Sequence, residues 1–178
     1  MIMSPRLRKV VLTAHVTTSL GWLGAVAAYV ALDVAAVAGQ DVRMVRSAYV
    51  AMELIAWYVI VPLALGSVLI GLINALGTSW GLFRHYWVLV KFLLTLLATA
   101  VLLVETRTIS VMADVAASGG DPRGLPGSLP HSVGGLVVLV VITILSVFKP
   151  RGLTRYGWRK QEQQRREERA QRPVSVEE

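Results

Sequence analysis

Apolar positions along this chain gather into four runs, Val10 to Leu32, Ala48 to Leu76, Tyr86 to Val104 and Ser132 to Phe148, with polar connections between them. A helix crossing the hydrocarbon core of a bilayer needs about 20 mostly apolar residues, so the first three qualify outright. The fourth rises about 26 Å at about 1.5 Å per residue. That is short unless it borrows residues from the flanking "PGSLP" or "KPRG". Four spans joined mostly by short loops predict an all-α integral membrane four-helix bundle with antiparallel neighbours. Residues 1–158 then form the membrane domain and 159–178 a charged cytoplasmic tail, either a solvated helix or disordered.

Within the runs, polar and small residues recur at helical spacing. Span 1 carries His15, Ser19, Trp22, Val26 and Tyr29 on one face, and a small-residue seam of Thr17, Gly21, Gly24 and Ala28 on another. Small residues let helices approach closely. Span 2 carries Glu53, Trp57, Ile60, Ala64, Ser67, Gly71 and Asn74. Pro62 falls in its middle, where the missing N–H predicts a bend. In span 3 the stripe is Lys91, Thr95, Ala98, Leu102 and Glu105.

Charge sets the orientation. Arg6, Arg8, Lys9, Arg84, Lys149, Arg151, Arg155, Arg159, Lys160, Arg165 and Arg166 fall on one side; Arg43, Arg46, Arg107 and Arg123 fall on the other. Eleven against four predicts that both termini are cytoplasmic in a multi-pass protein of the inner (plasma) membrane. The start of the chain has the outline of a secretory signal, and "AVA" at 36–38 imitates a cleavage site. A long apolar run followed by three more reads instead as an uncleaved first span. The composition agrees, with 54% hydrophobic and 16% charged residues and a mean hydropathy of +0.59. The net charge of +7 is then a topology signal and an attraction to anionic lipid. The expected partners are the lipid bilayer, with a redox partner or a second copy, and no nucleic acid. Zero cysteines exclude disulfides, thiolate metal sites and iron–sulfur clusters.

Depth sorts the polar residues into two tiers. His15 and Lys91 lie near the cytoplasmic surface with Asn74 and Ser146, and His85 sits at the edge. Glu53 and Glu105 lie near the opposite surface with Tyr29, Arg107 and His131. Lys91 and Glu105 are about 21 Å apart along one helix, so they cannot neutralise each other. Each has a bland alternative: Lys91 snorkels to headgroups, Glu105 pairs with Arg107 or Arg46, His85 is interfacial, and His131 simply begins helix 4 after Pro130.

Three histidines without HxH or HxxxH spacing make no zinc site. An imidazole inside a helix bundle is a usual axial ligand of haem iron. His15 is therefore the leading ligand candidate for haem b and His85 the second. Trp22, Trp87, Gly21 and Gly24 are candidate slot walls, and Lys91 a partner for a propionate.

The stretches "LTAHVTTSLGWLGAVAAYVAL", "VPLALGSVLIGLINALGTSWGLFRHYWVLVKFLLT" and "VFKPRGLTRYGWRK" resemble a bacterial family of small four-span integral membrane proteins, common in actinobacteria, to which no activity is assigned. More distantly, "HVTTSLGW" and "YWVLVK" are similar to patterns in the copper-resistance D proteins and in the bacterial membrane protoporphyrinogen oxidase. The last resemblance implies a b haem, with His15 and Lys91 at the positions of its first-span histidine and third-span lysine. The oxidase's arginine-bearing stretch after the first span has no counterpart in "YVALDVAAVAG", so the resemblance stops short of protoporphyrinogen oxidation.

Three functions follow as expectations: haem b binding for electron transfer or an oxidoreductase reaction, a cofactor-free membrane scaffold or accessory role, and proton- or cation-coupled transport through Glu53, Glu105, His15 and Lys91. The sequence leaves open whether the protein is an enzyme.

Overall fold

A computed structural model describes residues 3–77, 82–125, 127–150 and 152–171. Positions 172–178 of the predicted tail lie outside the described residues. The fold is all-α. Helix α1 (Pro5–Ala38) is followed by α2 (Val42–Ile55), a π turn (Ala56–Ile60) and α3 (Val61–Gly77), which continue one another as a single rod. Then come α4 (Tyr86–Ala117), a 3-10 turn (Pro122–Gly124), α5 (Leu129–Phe148) and α6 (Arg155–Gln171). Four rods, α1, α2–α3, α4 and α5, are long and apolar enough to cross a membrane. Each packs on the next in sequence, and α5 closes the ring on α1. This is the antiparallel four-helix arrangement that the hydropathy pattern predicts.

Three of the rods outrun their apolar segments. The 34 residues of α1 rise about 51 Å, against a hydrocarbon core of about 30 Å. The excess forms a head at the end of the bundle away from the termini. There the tightest packing occurs, with Ala36, Val45, Met52, Ile109 and Met112 all nearly inaccessible. Helix α2 is amphipathic in the manner of a soluble bundle, burying Val45, Ala48, Tyr49 and Met52 while exposing Arg43 and Ser47. Lower in the bundle large apolar side chains such as Leu69, Leu93, Leu97 and Val137 are exposed.

The π turn explains a departure from the predicted stripe. Pro62 cannot donate a backbone hydrogen bond and crowds the preceding turn. The chain accommodates it with a wide turn in which the Val61 N–H donates to the Ala56 carbonyl, five residues back. One extra residue in the turn rotates everything before it by about 100°. Met52 and Ala56, rather than Glu53 and Trp57, therefore continue the buried line of Ile60, Ala64 and Ser67. Trp57 turns outward, and its indole N–H donates to Ser110 Oγ on α4 at 3.2 Å.

The ends of the helices are tied to neighbouring elements. Helix α4 stops in a Schellman turn: the Gly120 N–H donates to the Val115 carbonyl and the Gly119 N–H to that of Ala116, with Gly119 at φ +89. Arg46 on α2 reaches over and donates to the carbonyls of Gly119 and Gly120. At the opposite end, Thr154 caps α6 by accepting from the Gly157 N–H at 3.0 Å. Its own N–H donates to the Arg84 carbonyl at 3.1 Å. The described part of the tail is thus a helix held against the α3–α4 connection.

Candidate functional site

The two predicted tiers take different forms. In the tier nearer the termini, α1 and α3 approach closely. Ser19 Oγ and Ser67 Oγ share a hydrogen bond of 2.8 Å. The His15 ring rests on Gly71, where a Cβ would lie 2.9 Å from Cε1. The imidazole Nδ1 finds no partner among the described residues. Lys91 extends back along α4 until Nζ lies 5.6 Å from the centre of the Trp87 ring, which is the direction a snorkelling lysine takes. His85 precedes the first turn of α4 and pairs through its backbone with Leu153. Asn74 lies on α3, in the same half of the bundle.

These residues do not fit a haem. The edge of His15 that bears its ring nitrogens faces the α3 backbone at Gly71, so a porphyrin has no room there without parting α1 from α3. His85 lies just before α4, where its backbone pairs with Leu153 and its ring centre is 6.4 Å from that of Trp87. Of the proposed slot walls, Gly21 packs on Leu63, and Gly24 faces open space on the outside of α1.

The far tier opens into a cleft of about 240 Å³ between α4 and α5. Its back wall is Trp22, Val26 and Tyr29 of α1, together with Ala56 and Ile60 from the two ends of the π turn. Leu97, Ala98, Val101 and Leu102 of α4 face Gly135, Val138 and Leu139 of α5 across it. Nothing lies within 4 Å of where a Cβ would stand at Gly134 or Gly135, so these two glycines keep the α5 wall set back. Leu97, Val101 and His131 are also exposed, which means that the cleft reaches the surface of the bundle.

One end of the cleft is polar. His131 Nδ1 lies 3.4 Å from Glu105 Oε1. His131 thus does more than begin helix 4, and the partner of Glu105 is this imidazole rather than Arg107 or Arg46. Ser128, Ser132, Thr106 and Tyr29 complete that end. Glu53 is half-buried on α2 and lies outside the lining.

Behind the polar end sits a residue that the sequence reading did not single out. Asp33 is wholly buried. Its Oδ2 accepts from Ser128 Oγ at 2.9 Å and Ser132 Oγ at 2.7 Å, and its Oδ1 has no partner among the described residues. Ser128 precedes the first turn of α5 but makes no capping bond with its side chain. The hydroxyl serves Asp33 instead, which places a carboxylate beside the positive end of the α5 dipole. The signal for Asp33 was available: the line His15, Ser19, Trp22, Val26, Tyr29 continues at the same spacing to Asp33 and Ala36.

No family model matches this chain, and no match to it is found among the curated proteins or the solved structures.

Proposed function

We propose that this is a multi-pass membrane protein that receives a lipid-dissolved amphiphile in the cleft between α4 and α5. The apolar body lies along Trp22, Val101 and Val138, and the polar head lies at Glu105, His131 and Ser132. The observation that carries this reading is the cleft itself, an apolar slot that reaches the bundle surface and has its polar groups gathered at one end. Small-molecule sites have this character, apolar walls with a few placed polar groups. The excess of basic residues at the end bearing both termini supports cytoplasmic termini, and with them a polar end toward the outer leaflet.

A photoactivatable long-chain diazirine alcohol tests the reading on purified protein in maltoside micelles. The expected result is saturable labelling of Leu97, Val101 or Val138 that unlabelled alcohol competes away. Unsaturable labelling spread evenly to Val104 and Val147, which are exposed outside the cleft, would overturn it.

A further inference from the structure

We infer that the cleft selects amphiphiles with a cationic head, an ammonium or quaternary ammonium group, over neutral or anionic ones. This rests on the cleft being a ligand site and adds the chemistry of its head group. Among the described residues, the lining has one carboxylate, Glu105, one imidazole, His131, and no lysine or arginine. An imidazole is not a permanent cation, so no fixed positive charge answers Glu105.

The hydroxyls point the same way. A serine or threonine has one hydrogen to donate. Ser128 and Ser132 direct theirs to Asp33 Oδ2, and Thr106 donates to the Leu103 carbonyl at 2.7 Å. What these three residues offer a ligand is therefore oxygen lone pairs, which suit a donor or a cation and disfavour an anion. Asp33 stands one layer behind as a second carboxylate, with Oδ1 unpartnered among the described residues. Trp22 and Tyr29 are aromatic residues of the back wall, the residue class that holds quaternary ammonium groups elsewhere by cation–π attraction.

The test uses the full chain in phosphatidylglycerol nanodiscs with three spin-labelled stearyl amphiphiles. They share one chain and differ only in bearing a trimethylammonium, a hydroxyl or a sulfate head. Electron paramagnetic resonance reads the motionally restricted fraction of each. A Gly135→Trp substitution plugs the cleft and defines the signal that belongs to it, and Val138→Trp, one turn further on, is an independent plug. The ammonium probe is expected to show about tenfold stronger cleft-dependent association than the alcohol, and Glu105→Gln should remove that preference. Equal cleft-dependent signals for ammonium and alcohol would overturn cation selection and leave the cleft reading intact. A restricted fraction that neither plug reduces, for any head group, would overturn both.

Discussion

Replacing Asp33 with alanine tests the interpretation of the head of the cleft through stability alone. The carboxylate accepts two hydroxyl hydrogens from the start of α5, and the substitution strands them unequally. Ser132 Oγ already lies 3.1 Å from the Leu129 carbonyl and can turn to it. Ser128 is 2% exposed, and the unsatisfied buried hydroxyl left behind costs about 1–3 kcal/mol. A small cavity adds to the loss, while removal of the orphaned Oδ1 offsets part of it. The net expectation is a loss of about 2 kcal/mol, more than the ~0.6 kcal/mol average of hydrogen bonds between membrane helices, because two hydroxyl bonds to one wholly buried carboxylate are lost at once. The loss should be coupled to Ser128: in a Ser128→Ala background, Asp33→Ala should cost about 1 kcal/mol less. Reversible unfolding in mixed dodecyl sulfate–maltoside micelles measures both values. A loss below about 0.5 kcal/mol, the scale of ordinary surface substitutions, or strict additivity with Ser128→Ala, would refute the claim that Asp33 fastens α1 to α5.

Three further outcomes follow from other parts of the molecule. Met52 is 0% exposed in the head and Leu93 is 55% exposed on α4, so Met52→Ala should cost about 2–5 kcal/mol and Leu93→Ala within about 0.5 kcal/mol in the same unfolding assay. In the loop after α4, the side-chain hydrogen bonds from Arg123, followed by its backbone N–H, hold the Asp121 carboxyl down to about 2. A lowered folded-state value stabilises the loop above the ordinary carboxylate range, and that contribution disappears as pH falls through about 2. Carbon-13 titration of the Asp121 side chain should show the depression, and Arg123→Ala, which keeps the backbone N–H, should relieve it only in part. Finally, the chain has no cysteine, so single cysteines report topology cleanly. An impermeant maleimide applied to intact cells should label Ser118→Cys and leave Arg159→Cys unlabelled, and the opposite pattern would reverse the proposed orientation.

Much of the fold is legible in the sequence because the four apolar runs are long enough to be helices under any assignment. The line of Trp22, Val26 and Tyr29 is equally legible, since α1 is regular and its buried face follows from period alone. Glu53 and Trp57 were misplaced for a definite reason. Helical spacing was carried through a stretch that contains a π turn, and one inserted residue moves every earlier side chain to another face. The proline was visible; whether it would bend the rod or widen a turn was not. A lone acid such as Asp33 at the end of an apolar run looks like the boundary of a span. Its meaning depends on Ser128 and Ser132, 95 and 99 residues later, and no local pattern announces such a contact.

The contrast between the two tiers bears on how a ligand would enter. Near the termini, α1 and α3 are joined by the Ser19–Ser67 hydrogen bond and by the seating of His15 on Gly71, and any added bulk at Gly71 collides with the ring. At the other end, Arg46 clamps α2 to the turn that closes α4. The rod α2–α3 is therefore fastened to α1 at one end of the bundle and to the end of α4 at the other. Helix α5 is different: Leu139 is its only buried side chain among the described residues, and its described polar ties to α1 are the two hydroxyls on Asp33. The compliant boundary of the cleft is then the α5 side. On the proposed reading, exchange with lipid would go through the α5 side, where the described polar ties are Asp33 to Ser128 and Ser132 and Glu105 to His131. The same bond that positions the start of α5 thus also sets how easily the cleft opens.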